Sequence, residues 1–152
     1  MRCRIYTDGS YDNENNIGGW SNIIVNKDKI KIKSGIKFDT TNNQVELIAV
    51  LNALEYAVRK HIRNVEIVTD SMYVLNGVQR YAKTWRENNW IGLSGNEIKY
   101  KSQWEGILMM LECMTKNKFN VKFTKVKSHS GSSLNEFADK EARKAIKAYK
   151  EK

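Results

Sequence analysis

The chain has 152 residues, 41 % of them hydrophobic, a formal charge of +9 and a pI of about 9.5. That supports one domain with a real core and excludes a disordered chain. The apolar runs are too short to span a bilayer, and two distant cysteines with no Cys/His spacing exclude both a disulfide framework and a zinc site. A basic surplus of this size points to a polyanionic partner, most often nucleic acid, with plain solubility as the alternative. The lysines are grouped: five between Lys27 and Lys37 against Asp28, five between Lys116 and Lys127 with no acid, and more from Lys140 onward. Two early arginines lead straight into a strand rather than a signal peptide, and Cys3 and Cys113 read as reduced thiols, so a cytoplasmic setting is expected.

The first predicted element is a strand over Arg2 to Thr7 that ends on Asp8 and turns at Gly9-Ser10. Tyr11 to Asn16 is a polar loop, and Trp20 to Val25 a second strand. Ile30-Lys31-Ile32-Lys33 alternates, which predicts a half-buried third strand with its lysines facing water, the alternation continuing to Ile36 and Phe38. Short turns make these three strands an antiparallel meander. Thr40-Thr41-Asn42-Asn43 caps a helix to about Arg59. On it Glu46 heads a stripe with Val50, Ala53 and Ala57. Asn43 with Glu46 three residues on also fits a capping box, in which case Glu46 is simply a helix-end acid.

Val65 to Thr69 is a fourth strand ending on Asp70, and a helix follows from Met72 to about Tyr81. The strand–helix–strand order predicts parallel pairing with the first strand. Trp85 and Trp90 lie among polar residues, Ser94-Gly95-Asn96 is a turn, and a helix from about Lys99 to Thr115 carries Trp104, Ile107, Leu108 and Leu111 on one side. Phe119 to Val126 is the last strand. A small loop with His129 precedes a final helix from near Ser133, with Phe137, Ala138, Ala142, Ala145, Ile146 and Tyr149 inward and Asn135 and Asp139 bordering that face. The expected fold is α/β: a mixed five-stranded sheet, three strands antiparallel and two parallel, with helices on both faces.

In that fold Asp8 and Asp70 end strands, Glu46 opens a helix and Asp139 lies near the start of another, so all four converge on one rim. Sites form at that end of an α/β sheet. Four crowded carboxylates repel unless protonated or bridged by cations, and an all-oxygen set selects hard ions such as Mg²⁺ or Mn²⁺. Two such ions roughly 4 Å apart activate a water and stabilise the leaving oxygen of a phosphodiester. An acidic pocket in a basic protein suits an anionic substrate.

Thr7-Asp8-Gly9-Ser10, Thr41-Asn42-Asn43 with Glu46-Leu47, Thr69-Asp70-Ser71 with Tyr73, and His129 with Gly131, Asn135 and Ala138-Asp139 resemble type 1 ribonuclease H in order and spacing. They cover nearly the whole chain, read as one catalytic domain over 1–152 with a handle-like segment at about 82–104. The resemblance implies an endonuclease that hydrolyses the RNA strand of RNA–DNA hybrids, leaving 3′-hydroxyl and 5′-phosphate ends, as a monomer with no protein partner and no membrane. It implies that Asp8, Glu46, Asp70 and Asp139 hold two Mg²⁺ ions, with Mn²⁺ as substitute and Asp8 bridging. His129 then assists proton transfer or product release, which its ordinary pKa suits. Gly9, Ser10, Thr41, Asn42, Asn43, Trp85 and Asn135 become substrate-binding positions: Asn42 and Asn43 in the minor groove, Thr41 at a DNA phosphate.

Three stretches depart from the family pattern. Asn13 to Ile17 lacks the expected prolines. The handle keeps Trp85, Trp90 and Trp104 but sets Lys83, Arg86, Lys99 and Lys101 against Glu87, Glu97 and Glu105. Ser132-Ser133-Leu134 stands where a His-Pro-Glu-like run is often seen. A non-cleaving module of the same fold, a related strand-transfer or junction nuclease, and a basic structural protein are the competing readings. The intact acids and histidine count against the first, the short chain after the last helix against the second, and the unexplained acids against the third.

Overall fold

The computed structural model describes residues 2–126 and 133–152. Its centre is a five-stranded sheet in the order β3-β2-β1-β4-β5, built from β1 (Cys3–Asp12), β2 (Ile17–Asn26), β3 (Lys29–Phe38), β4 (Asn64–Thr69) and β5 (Asn120–Lys125). The first three strands pair antiparallel, while β1–β4 and β4–β5 pair parallel. The mixed sheet is therefore the expected one.

Strand alternation splits the core into two layers. Cys3, Ile5, Ile24, Val65 and Ile67 face α1 (Asn42–Arg59) and α4 (Lys101–Lys116), and Trp104 is fully buried among them. Tyr6, Ile23 and Val68 face Ala138 on α5 (Ser133–Lys150). Both helices come close to β2 at adjacent glycines. A Cβ on Gly18 would lie 2.4 Å from Val45 Cγ2, and one on Gly19 would lie 2.2 Å from the Ala142 carbonyl oxygen. A side chain at Gly18 would push the start of α1, and with it Glu46, away from the sheet, and one at Gly19 would push α5 away.

Three elements differ from expectation. β1 does not stop at Asp8: its β4 pairing ends at Tyr6, opposite Val68, but its β2 pairing runs on to Asp12. Asp8 thus lies just past the point where β1 loses a neighbour. β3 is an edge strand whose Ile30 and Ile32 are 56 % and 43 % exposed, while Lys31 and Lys33 fold over Tyr56. The isoleucines share a sheet face with Phe38, but α5 meets that face of β3 near its far end, where Phe38 and Tyr149 touch edge to face at 5.0 Å.

The third difference lies after α2 (Met72–Asn76). The helix passes through a π-helical turn, Gly77–Tyr81, into α3 (Ala82–Glu87). Trp104 presses on that turn. A Cβ at Gly77 would lie 2.0 Å from Trp104 Cη2, and the indole N–H donates to the Tyr73 hydroxyl at 3.1 Å. The wider turn and the missing side chain together make room for the indole. Gly77→Ala is expected to lower the unfolding free energy by about 1–3 kcal/mol, the usual cost of overpacking. A urea midpoint unchanged from wild type would contradict this.

Candidate active site

Local backbone geometry brings the acids to the rim. Asp8 rides on β1 and accepts a hydrogen bond from the Gly9 N–H at 2.9 Å. Asp70 follows β4, after which Ser71 caps α2 by accepting from the Val74 N–H at 3.1 Å. The cap that starts α1 is Thr41, whose hydroxyl accepts from the Gln44 N–H at 3.2 Å. The capping-box reading therefore fails, since Asn43 is already inside the helix. Glu46 is instead buried against β1, one turn into α1.

Asp8, Glu46 and Asp70 each offer a carboxylate oxygen, and these oxygens all lie within 4.8 Å of one another. Asp8 and Glu46 are only 5 % and 6 % exposed, and Glu46 Oε1 accepts no hydrogen bond among the described residues. Burial, then the neighbouring Asp70, pushes the Asp8 carboxyl up to about 7. Burial, then Asp8 and Asp70, raises the Glu46 carboxyl well above its ordinary range. Two buried acids that resist ionisation, one with an orphaned oxygen, fit a divalent cation, which would supply the missing countercharge.

Asp139 borders the same depression of about 410 Å³, together with Gly9, Asn42, Asn43, Ser71, Tyr73 and Asn135. It stands apart from the three-acid cluster, half exposed and paired to Arg143 at 3.0 Å. Arg143 pulls the Asp8 carboxyl slightly downward as well. The sequence reading missed it, although its spacing of four from Asp139 on one helix was visible. Glu136, also on this wall, was missed too.

Other expected positions are not among the residues that line the depression. Ser10 lines a neighbouring hollow with Asp12 and Arg143. Thr41 shares a 2.5 Å hydrogen bond with the Tyr100 hydroxyl, which ties the start of α1 to the start of α4. Trp85 packs edge-on against Trp104 at 5.7 Å and stacks on Tyr81 at 5.8 Å. His129 lies outside the described residues. Among the described residues no helix is long and apolar enough to cross a membrane.

The family model described as RNase H matches residues 1–147. The chain is 39 % identical over 141 residues to a protein named Ribonuclease H from Francisella philomiragia, covering 93 % of this chain and 88 % of that one. It is also 39 % identical over 145 residues to a Ribonuclease H from Francisella tularensis subsp. novicida, covering 95 % and 91 %. Among solved structures, a foamy viral protease-reverse transcriptase in complex with RNA/DNA hybrid superposes with a TM-score of 0.80 at 25 % identity, covering 94 % of this chain and 20 % of that one. LC9-RNase H1, a type 1 RNase H, shares the fold with a TM-score of 0.78 at 24 % identity, covering 97 % and 72 %. Sequence and architecture agree, and the chain belongs to the RNase H family.

Proposed function

We propose that this endoribonuclease hydrolyses the RNA strand of RNA–DNA hybrids, leaving 5′-phosphate and 3′-hydroxyl ends, with two divalent ions held by Asp8, Glu46, Asp70 and Asp139. The observation that carries this reading is the meeting of three carboxylates from β1, α1 and the end of β4 within 4.8 Å, two of them buried. The foamy viral neighbour bound to an RNA/DNA hybrid supports the choice of substrate, although this chain matches only a fifth of that protein. Mg²⁺, with Mn²⁺ as substitute, suits the oxygen-only donors. Bound there, such ions would activate a water and stabilise the leaving oxygen of the scissile phosphate.

The chain's own groups do the rest. Asp8 and Glu46, kept out of water, line the depression and form no ion pair with a described cation, Asp8 being held by the Gly9 N–H. Arg143 pins Asp139 at its edge. Asn42, Asn43, Gly9 and Asn135 line the approach and serve as hybrid contacts, with Ser10, Thr41 and Trp85 flanking them. Selectivity needs 2′-hydroxyls on one strand and their absence on the other, which a hybrid alone supplies. His129 assists proton transfer or product release. The acids all come from one chain, which suits a monomer, and the free thiols of Cys3 and Cys113 suit a reducing cytoplasm.

The test is a set of matched RNA–DNA, RNA–RNA and DNA–DNA duplexes incubated with Mg²⁺, Mn²⁺ or chelator. Cleavage of the RNA in the hybrid alone, abolished by chelator, is the expected result. Equal cutting of all three duplexes, or cutting in chelator, would overturn the reading. His129→Ala is expected to lower turnover by about 100-fold or more with residual activity, as for loss of a proton-transfer group. Unchanged multiple-turnover kinetics would remove His129 from the reaction.

A further inference from the structure

Much of the basic surplus lies away from the acidic rim. On β3, Lys29, Lys31, Lys33 and Lys37 alternate onto the face turned toward α1. Two of them close over the ring of Tyr56: Lys31 Nζ is 5.4 Å and Lys33 Nζ 5.2 Å from its centroid, and the Arg59 guanidinium carbon is 5.7 Å away. Tyr56 is buried beneath them. Three cations are thus positioned around one aromatic ring, whose quadrupole attracts each of them.

These cations repel one another, and Glu55 relieves the repulsion only in part. Lys31, Lys33, Arg59 and Lys60 form no ion pair with a described carboxylate. The Lys33 ammonium is pushed down, first by burial and then by Arg59 and Lys31, with Glu55 offsetting part of the effect. Such an arrangement gains most from a ligand carrying several negative charges. Lysines on alternate strand residues are about 7 Å apart. That suits the successive phosphates of an extended backbone better than a single anion.

We propose that Lys31, Lys33 and Arg59, arrayed on Tyr56, form a second nucleic-acid backbone contact, independent of sequence and separate from the cleavage rim. Tyr56 lies ten residues along α1 from Glu46, about 15 Å of helix. It takes phosphates of a longer duplex or of a neighbouring segment, not the scissile phosphate. The choice of nucleic acid over another polyanion leans on the hybrid-cleaving role. The contact itself is tested on plain DNA, where no cleavage is needed, so it can fail while the nuclease reading stands.

The experiment compares Lys31→Gln/Lys33→Gln/Arg59→Gln with Lys140→Gln/Lys144→Gln/Lys147→Gln, which removes the same charge from α5. Binding to a DNA duplex of roughly 30 base pairs is titrated against salt. The Tyr56-cluster variant is expected to lose affinity by about tenfold and to lower the salt slope by about 2–3, near 0.9 per phosphate contact, with the control changing less than about twofold. Single-turnover cleavage of a hybrid of roughly 8 base pairs should stay within about twofold in both. An unchanged slope, an equal loss in the control, or a parallel loss on the short hybrid would overturn the proposal. So would loss of binding to phosphatidylserine vesicles with DNA binding intact, which would make the surface a membrane contact. Glutamine keeps the stems over Tyr56. If the triple variant nevertheless melts early, Lys31→Gln alone should lower the slope by about 1, and no change would reject the contact.

Discussion

Asp70→Asn is expected to lower hybrid cleavage by about a thousandfold or more, the scale on which removing one member of a cooperating catalytic set acts. Asparagine keeps the shape of the side chain and removes the charge. Asp70 contributes one of three carboxylate oxygens within 4.8 Å, so its loss takes a third of the cluster's charge from a site whose other two members are buried. Hybrid affinity in chelator should stay within a few fold, because the proposed hybrid contacts, surface bases and the amides of Asn42, Asn43 and Asn135, are untouched by the substitution. Asp8→Asn is expected to behave alike. Single-turnover cleavage and fluorescence anisotropy on the same hybrid separate the two effects. Cleavage at wild-type rates by Asp70→Asn would show that the rim has been assigned wrongly.

The second large effect is on stability. The Asp8 carboxyl is pushed from 3.8 up to about 7 in the folded chain, and Glu46 is displaced the same way. Between those values the folded chain holds a proton that the unfolded chain has released. The stability contributed by the protonated acid is full below about pH 4 and is lost as pH rises through about 7. Without metal, the unfolding free energy should therefore fall between about pH 5 and 8, by an amount on the order of 2–3 kcal/mol for Asp8. Asp8→Asn should flatten that slope and be the more stable protein at pH 8 in chelator. Millimolar Mg²⁺ or Mn²⁺ should restore wild-type stability at pH 8 and leave the variant nearly unmoved. Urea unfolding with and without chelator measures this, and a metal-free stability that rises from pH 5 to 8 would contradict it.

Strand alternation made much of the fold legible. Cys3 and Ile5 go to one face and Tyr6 to the other, as their spacing requires, and the two strands carrying Asp8 and Asp70 pair in parallel. Glu46 could not be settled from its own helix, where a capping acid and a site acid look alike. Its role depends on where Gly18 lets the start of α1 come down, a contact between residues distant in sequence. Ile30 and Ile32 misled because alternation reports two faces but not whether a helix reaches both. The π-helical turn at Gly77 was invisible for the same reason: the indole that demands it sits 27 residues further on, at Trp104. Asp8 was legible as a rim acid, although β1 continues past it, because the sheet opens on its β4 side.

Everything chemical here depends on remote carboxylates sharing divalent ions. A crystal soaked in Mn²⁺ and measured for anomalous scattering tests that most directly. Manganese peaks among the oxygens of Asp8, Glu46 and Asp70, with a second peak toward Asp139, are the expected result. Strong anomalous signal elsewhere and none at these acids would contradict the account.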